Sequence, residues 1–246
     1  MNILIRNEHP ADYRRVEEIT RKAFWNLHVP GCDEHLLAHK LRKHKDFVKE
    51  LDFVAVKDSE VIANIMFSDS YLTNENGDAL NTLTFGPVSV LPEYQRRGVG
   101  SKLITHAIER AIEMGYAAIV IWGNPRHYCK FGFKASKSYS ISIANNRYPC
   151  CLLVKELTTG MLSNHHWQFH GSDVFDVNRE KLEDFDSTFE KLEKESRYTQ
   201  EEFAILSKAH LEYNQIPCSI SYRMFSAESR PPGVTSQIGR GGCVPA

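Results

Sequence analysis

Residues 91–104, LPEYQRRGVGSKLI, lead from an apolar segment through a basic, glycine-rich turn into a predicted helix. Gly98 and Gly100 have no Cβ, so backbone N–H groups of the turn can approach an anion closely. Arg96 and Arg97 add positive charge beside them. The stretch predicts a pyrophosphate site at a helix N-terminus, and a tight turn with solvated arginines is the alternative. Apolar residues at helical spacing predict that the helix covers residues 98–114 and buries Val99, Leu103, Ile104, Ala107, Ile108 and Ala111.

A second segment, AAIVIWGNPRHYCKFGF at residues 117–133, has the pattern of a buried strand (117–122) followed by a loop and a short helix (125–130). Together the two segments resemble the acyl-CoA site of the GNAT N-acetyltransferase superfamily. The run GPVSVLPEYQRRGVGSKLI is especially similar to the small bacterial predicted N-acetyltransferases of that superfamily. The resemblance covers about residues 3–160 and fades after that.

The resemblance implies an α/β (α+β) fold. Its central sheet is expected to be mixed and mostly antiparallel, with a splayed pair of strands and flanking helices, and this chain adds a helical C-terminal extension. Within the predicted strand 81–91, Pro87 has no N–H to donate, so Gly86-Pro87 predicts a bulge or the place where this strand leaves its neighbour. An edge strand is the alternative. In the resembling family, the pantetheine arm of acetyl-CoA enters where the two strands part.

Acetyl-CoA is therefore the expected co-substrate, and no metal is expected. The resemblance, together with the glycine-rich turn, implies that the cofactor is bound by Val88, Ser89, Val90, Gln95, Arg96, Arg97, Gly98, Val99, Gly100, Ser101, Asn124 and Tyr128.

Acyl transfer requires that an amine lose a proton, that donors stabilise a tetrahedral oxyanion, and that the leaving thiolate receive a proton or a hydrogen bond. Tyr128 is the predicted donor to the thiolate, because a phenol stays protonated at neutral pH. A packed aromatic side chain beside Phe131 and Phe133 is the alternative. The backbone N–H of Val88, freed where the strand parts, is the predicted oxyanion donor.

The general base cannot be assigned by motif, because GNAT enzymes use different carboxylates or waters. Glu34 resembles a glutamate on the second helix of the most similar subgroup and is the candidate, with a solvent-facing helix glutamate as the alternative. Asp33, His35 and Asp69 are weaker candidates. Cys129, beside Tyr128, is not expected to act as a nucleophile.

The composition is that of a globular protein, with 246 residues, 42% hydrophobic content and a net charge of −1 from 30 basic and 31 acidic side chains. This balance gives no overall attraction to nucleic acid or to an anionic membrane, and neither is expected as a partner. The longest apolar run, residues 117–122, is too short to span a bilayer, so a cytoplasmic location is expected. The six cysteines form no CxxC pair and are expected to be reduced.

The spacing of apolar and turn-forming residues divides the chain into a predicted acetyltransferase domain (1–162), a mainly helical extension packed on it (163–225) and a flexible tail (226–246). In the domain, strands are predicted at residues 2–6, 51–57, 60–68, 81–91, near 132–143 and at 150–156, and helices after Pro10 and at 33–43. The extension opens with HHWQFH, interpreted as a solvated connection in preference to a metal site formed by His165, His166 and His170. Two amphipathic helices follow, marked by Leu182, Phe185, Phe189 and Leu192 and then by Phe203 and Leu206.

The sequence therefore predicts an N-acetyltransferase that moves acetyl from acetyl-CoA to a primary amine of a small molecule or peptide. Direct transfer in a ternary complex is expected, from a monomer or a homodimer. A non-catalytic acyl-CoA-binding or sensing module is the alternative.

Overall fold

The computed structural model of the protein describes residues 2–176 and 181–212. Its strands are β1 (Leu4–Asn7), β2 (Phe53–Lys57), β3 (Glu60–Asn74), β4 (Ala79–Val90), β5 (Ala118–Trp122), β6 (Lys134–Ala135), β7 (Ile141–Ser142), β8 (Tyr148–Pro149), β9 (Leu152–Glu156), β10 (Trp167–His170) and β11 (His210–Leu211). Its helices are α1 (Tyr13–Phe24), α2 (Glu34–Leu41), α3 (Val99–Glu113), α4 (Pro125–Tyr128), α5 (Leu182–Asp186) and α6 (Tyr198–Lys208). The predicted tail and the last part of the predicted extension lie outside the described residues. None of the described helices is long and apolar enough to cross a bilayer.

The central sheet has the strand order β1-β2-β3-β4-β5-β9-β6. Along this order the neighbours are antiparallel except for β4 and β5, which run parallel. β10 joins the same sheet beside β3, antiparallel to it, and pairs in parallel with β7. Helices α1 and α3 pack against β2, β3, β4 and β5 in the largest apolar cluster. The six apolar residues predicted for the inner face of α3 are all buried. The mixed, mostly antiparallel sheet with flanking helices confirms the predicted fold class.

The predicted bulge lies in the middle of β4. Phe85 lies opposite Phe67, and Val88 lies opposite Ile65, so two residues of β4 face a single residue, Met66, of β3. The ladder resumes beyond this point and continues to Val90 at the end of β4. Since β4 has β3 on one side and β5 on the other, the alternative of an edge strand is wrong.

Strands β4 and β5 separate near the same point. Their pairing is limited to Leu83 and Ile119, although β4 continues to Val90 and β5 to Trp122. Beyond Leu83, β4 is therefore paired on its β3 side alone. This separation produces the splayed pair of strands that the resemblance implied.

The histidine-rich segment is a strand and not a solvated connection. β10 extends the sheet at the distal end of β3, and it buries Trp167 and Phe169 beside Leu72. The period-2 alternation of Trp167 and Phe169 with polar residues is the signal for this strand, which the histidines obscured. His165 and His170 bond separately to Glu75 and Thr73. Within the described ranges, the side chains with metal-ligand spacing are instead His44, Asp46 and Asp173.

Two other predicted elements are shorter than expected. The strand predicted near 132–143 is divided into β6 and β7 by a one-turn 3-10 helix, Ser136–Tyr139, and by Ser140 in a left-handed conformation (φ 53°). The helix predicted to extend from Leu182 to Leu192 ends at Asp186. Just after it, the Ser187 and Thr188 hydroxyl groups bond to backbone carbonyls of the preceding turn, and such bonds compete with helix continuation.

The segment from α5 to α6 packs on α1 and α2. Arg21 of α1 bonds to the Asp186 carboxylate at 2.6 Å and donates to the Glu190 carbonyl at 2.8 Å. The imidazole of His35 on α2 contacts the Phe185 ring, with 5.4 Å between the ring centroids. Although these contacts join the extension to the preceding helices, the boundaries at residues 162 and 225 stay predictions.

The fully buried His35 predicts a pH dependence of stability. Burial lowers the pKa of His35 to about 4, although the nearby Asp186 carboxylate opposes the shift. Since an unfolded histidine takes up a proton near pH 6.5, stability should fall as the pH drops from about 6.5 to 4, by roughly 1.4 kcal/mol per pH unit at most. We expect the melting temperature to decrease less between pH 7 and pH 5 in His35→Gln than in the wild type. The surface variant His165→Gln should retain the wild-type loss, and an equal loss in all three proteins would contradict this prediction.

Candidate active site

A cavity of about 1220 Å³ opens where β4 and β5 separate. Its inner wall is formed by β4 from Thr84 to Val90 and by the loop that follows β5. The outer wall combines the end of α1, the start of α2 and one side of α6. Tyr128 and Glu34, two of the predicted catalytic residues, contribute to the same cavity from different elements.

The backbone of β4 beyond the bulge has hydrogen-bonding groups directed into the gap. The Leu91 N–H donates to the Ile62 carbonyl across the β3–β4 ladder at 2.9 Å. Because bonded and non-bonded pairs alternate in an antiparallel ladder, the N–H and C=O groups of Val90 and Val88 point away from β3. The Val90 carbonyl accordingly accepts a hydrogen bond from the Gln95 amide at 3.0 Å. The peptide groups of Val88 thus face the side that β5 has vacated.

Ser89 lies between these two residues and has the opposite orientation. Its side chain is buried and donates to the Thr20 hydroxyl at 3.0 Å. Ser89 is therefore the one residue of the predicted binding set on β4 that does not line the cavity. Strand alternation explains the difference, because adjacent residues of a strand point to opposite faces.

The glycine-rich turn leaves the N-terminus of α3 without a capping side chain. Gly98 occupies the N-cap position in a left-handed conformation (φ 83°), and the Lys102 N–H makes the first bond of the helix, to the Gly98 carbonyl. The backbone N–H groups of the three intervening residues have no partner within the helix. A Cβ on Gly100 would lie 3.4 Å from the Val90 side chain, so this glycine lets the helix start close to β4. Such a turn can bind a phosphate through N–H groups and the helix dipole.

Positive charge surrounds this turn. Arg96 and Arg97 are exposed, and Arg96 has a left-handed backbone (φ 58°). Lys130, which the sequence analysis did not single out, donates to the Ser101 hydroxyl at 3.4 Å from the segment after α4. This contact joins residues that are 29 positions apart in the chain, so it has no local sequence signal. The side chain of Val99 is buried in the core, so only its backbone N–H is available to an anion at this turn.

Tyr128 lies at the end of α4 and faces the cavity. Its ring packs against Phe85 and Phe133, with 5.6 Å and 6.0 Å between the ring centroids. Burial raises the pKa of Tyr128 to about 12, so the phenol is protonated at neutral pH. The two interpretations of this residue are compatible, since the side chain is packed and also lines the cavity. Asn124 lines it too, and its side-chain oxygen caps α4 by accepting from the Arg126 N–H at 3.0 Å.

Gly123, at the exit of β5, makes room for Tyr128. A Cβ at this position would lie 2.5 Å from the Tyr128 ring, which is closer than any real contact. The sequence signal was the glycine that directly follows a buried strand, WGN at 122–124, where close approach of another group is expected. We missed this residue in the sequence analysis.

Glu34 begins α2, and its side chain lies in the cavity wall with 18% of its surface exposed. One carboxylate oxygen lies 3.2 Å from Nδ1 of His28, and the other accepts from the Asp33 N–H. The His28 ring stacks on Phe203 of α6 with 4.4 Å between the ring centroids. Glu34 is thus part of a carboxylate–imidazole pair, which spacing in the sequence did not reveal.

The other acid–base candidates are distributed differently. Asp33 lines the cavity, whereas His35 is buried beside Asp186 and Asp69 accepts a bond from the Tyr116 phenol. Among the cysteines, Cys151 lines the cavity, and burial raises the pKa of its thiol, which disfavours a thiolate nucleophile.

Helix α6 is positioned by the buried Asn26, which follows α1. The Asn26 side chain donates to the Glu193 carbonyl at 3.0 Å and accepts from the Glu195 N–H at 3.2 Å. Its backbone carbonyl accepts from Gln200 at 3.2 Å, and Thr199 donates to the carbonyl of Leu27 at 2.8 Å. The C-terminal segment therefore supplies a wall of the cavity.

The splayed sheet, the uncapped and basic helix N-terminus, and the tyrosine beside the gap have the arrangement that the resemblance implied. Residues 19–133 match the model of the Acetyltransferase (GNAT) family. This match, over residues 19–133, confirms the resemblance stated from the motifs.

Curated relatives agree with this assignment. The chain is 29% identical over 140 residues to the uncharacterized N-acetyltransferase YhbS of Escherichia coli (strain K12), covering 56% of this chain and 78% of the relative. It is 30% identical over 84 residues to the uncharacterized N-acetyltransferase YjhQ of the same strain, covering 34% of this chain and 46% of the relative.

Solved structures share the fold. The crystal structure of Escherichia coli YhbS in complex with CoA matches with a TM-score of 0.62 and 24% identity, over 72% of this chain and 93% of that chain. The crystal structure of a GNAT family acetyltransferase from Brucella melitensis in complex with acetyl-CoA matches with a TM-score of 0.57 and 26% identity, over 71% of this chain and 99% of that chain.

The close approach of Gly123 and Tyr128 predicts a strong coupling between these positions. Gly123→Ala should lower the melting temperature, because its methyl group displaces the Tyr128 ring from its pocket. In the Tyr128→Ala background the same substitution should cost much less, giving a coupling energy of about 1–3 kcal/mol in a double-mutant cycle by thermal or urea unfolding. Gly171→Ala, where a Cβ would meet Phe169 at 3.4 Å, is the matched control. Additive effects of the two substitutions would contradict the assigned contact.

Proposed function

We propose that the protein is an N-acetyltransferase that moves acetyl from acetyl-CoA to a primary amine by direct transfer in a ternary complex. One observation carries the proposal. The Tyr128 phenol, the Glu34–His28 pair and the outward-facing backbone of β4 all line one cavity, at the opening between β4 and β5. A module that only binds acyl-CoA has no need for a proton acceptor and a proton donor in the same cavity, so the arrangement favours an enzyme.

The site fits acetyl-CoA along its length. The pyrophosphate would bind at the N-terminus of α3 through the N–H groups of residues 99–101, with Arg96, Arg97 and Lys130 as counter-charges. The pantetheine arm would lie along β4, bonded to the peptide groups of Val88 and to the Val90 N–H, which face away from β3. The Asn124 amide is on the opposite side of the gap. The CoA and acetyl-CoA complexes of the two structural neighbours support this assignment.

Each proposed step uses a group of this chain. Acetyl-CoA would supply the acetyl group as a thioester, and a C–N bond replaces its C–S bond. Glu34 and His28 together take up the proton of the attacking amine. The Val88 N–H stabilises the oxyanion, because its direction away from β3 leaves it available in the gap. With a pKa of about 12, Tyr128 acts chiefly as a hydrogen-bond donor to the departing sulfur, because a thiol is a stronger acid than this phenol.

The cradle can be tested without knowing the acceptor. Gly100→Val should weaken acetyl-CoA binding by at least about tenfold in calorimetry, because a branched side chain obstructs the N–H groups and presses on Val90. Gly171→Val has the same 3.4 Å clearance at a site outside the cavity and should leave the affinity unchanged. Wild-type affinity in a folded Gly100→Val protein would overturn the cofactor assignment.

Catalysis can be tested by thiol release from acetyl-CoA over a panel of primary amines. Tyr128→Phe retains the ring packing and removes the donor, so turnover should fall about 10- to 1,000-fold with little change in acetyl-CoA affinity. Glu34→Gln should reduce turnover similarly. Full turnover in Tyr128→Phe would leave that residue a packing role alone, and tight acetyl-CoA binding without turnover of any amine would favour the sensing module.

A further inference from the structure

The acceptor side of the cavity carries negative charge. Asp33 and Glu34 from the start of α2, Asp176, and Glu202 of α6 all contribute to its wall. Within the described ranges, no lysine or arginine lines this cavity. Since like charges gathered around a concave surface raise the local concentration of the opposite charge, the wall should attract cations.

Two carboxylates elsewhere in the protein are paired with guanidinium groups. Glu8 bonds to Arg42 at 2.7 Å, and Asp12 bonds to Arg6 at 2.6 Å. The bonds made by Glu34 in the described part of the chain run to an imidazole and to a backbone N–H. Unlike Glu8 and Asp12, the Glu34 carboxylate has no guanidinium partner among the described residues.

A second feature of the cavity is a buried hydroxyl group without a partner. Thr84 lies on β4, next to the point where β5 separates, and it lines the cavity while only 3% of its surface is exposed. Its hydroxyl group has no hydrogen-bond partner among the described residues. Because a buried hydroxyl without a partner is destabilising, a polar ligand group beside Thr84, such as an amine, would be favoured.

Apolar and aromatic side chains complete the acceptor side of the cavity. Phe24 and Leu27 at the end of α1 and Phe203 and Leu206 of α6 line it. The stacked rings of His28 and Phe203 offer a flat surface on which an alkyl chain or a cationic group can lie. This surface suits a flexible aliphatic acceptor better than an anionic or strongly polar one.

We propose that the acceptor is an aliphatic amine with a second positive charge, of the diamine or polyamine class. The inference rests on the proposed function and deepens it by naming the acceptor class. The reacting amine would lie near Tyr128 and the Glu34–His28 pair, and the alkyl chain would lie against the apolar surface. The second charge would lie near Glu202 and the other carboxylates of the acidic wall. The negative charge of the wall favours this acceptor over a singly charged monoamine of the same length.

Binding to the full-length protein saturated with CoA tests the inference. Calorimetry would compare 1,4-diaminobutane with n-butylamine, which lacks the second charge, and with 4-aminobutanoate, which replaces that charge with a carboxylate. We expect the diamine to bind at least about tenfold tighter than either, with an affinity that falls as salt increases. Equal affinities, a preference for 4-aminobutanoate, or no binding of the diamine at millimolar concentration would overturn the inference.

A matched pair of variants on one helix separates a specific contact from a general field. Glu202→Gln should weaken diamine binding at least about fivefold. Glu201→Gln makes the same charge change at the adjacent residue, which does not line the cavity, and it should leave the diamine affinity nearly unchanged. Equal effects of the two variants would overturn the inference. CoA affinity is measured first in each protein. A wild-type protein that does not bind CoA would overturn the proposed function, whereas CoA binding without a preference for the diamine would overturn the acceptor class alone.

Discussion

The structure depends on one constraint, the loss of pairing between β4 and β5 beyond Leu83 and Ile119. A bulge opposite Met66 and a proline without an N–H occur in β4 at this place, and β5 continues in another direction. The peptide groups of Val88 and Val90 are then left without a strand partner on that side. Unpaired backbone groups in a sheet are costly unless a ligand or water bonds to them, and this supports the proposal that the cofactor binds in the gap.

The other parts of the site are arranged around this gap. Helix α3 begins close to β4 because Gly100 has no side chain, and its unbonded N–H groups lie at the basic turn. Tyr128 reaches the gap from α4, which follows β5, because Gly123 leaves room for its ring. Two glycines, one in the first turn of α3 and one at the exit of β5, therefore allow the helix N-terminus and the Tyr128 ring to lie close to the gap.

The C-terminal segment turns an open cleft into a cavity. Arg21 on α1 and Asn26, just after α1, bind the backbone of residues 190–195. Helix α6 follows this segment and forms one wall of the cavity. Phe203 then stacks on His28, which is itself paired with Glu34. The segment is distant in sequence from the GNAT motifs, and through these contacts it forms part of the acceptor side of the site.

The sequence by itself determined the local elements and the family. The Gly98 and Gly100 turn, the apolar spacing of α3 and the proline in β4 each act over a few residues, so they could be interpreted without knowledge of the fold. Tertiary structure decided which side chains meet, such as Lys130 with Ser101 and His28 with Phe203. It also made β10 a strand of the sheet and placed Ser89 away from the gap. Such contacts join residues that are far apart in the chain, and packing alone, not local propensity, selects them.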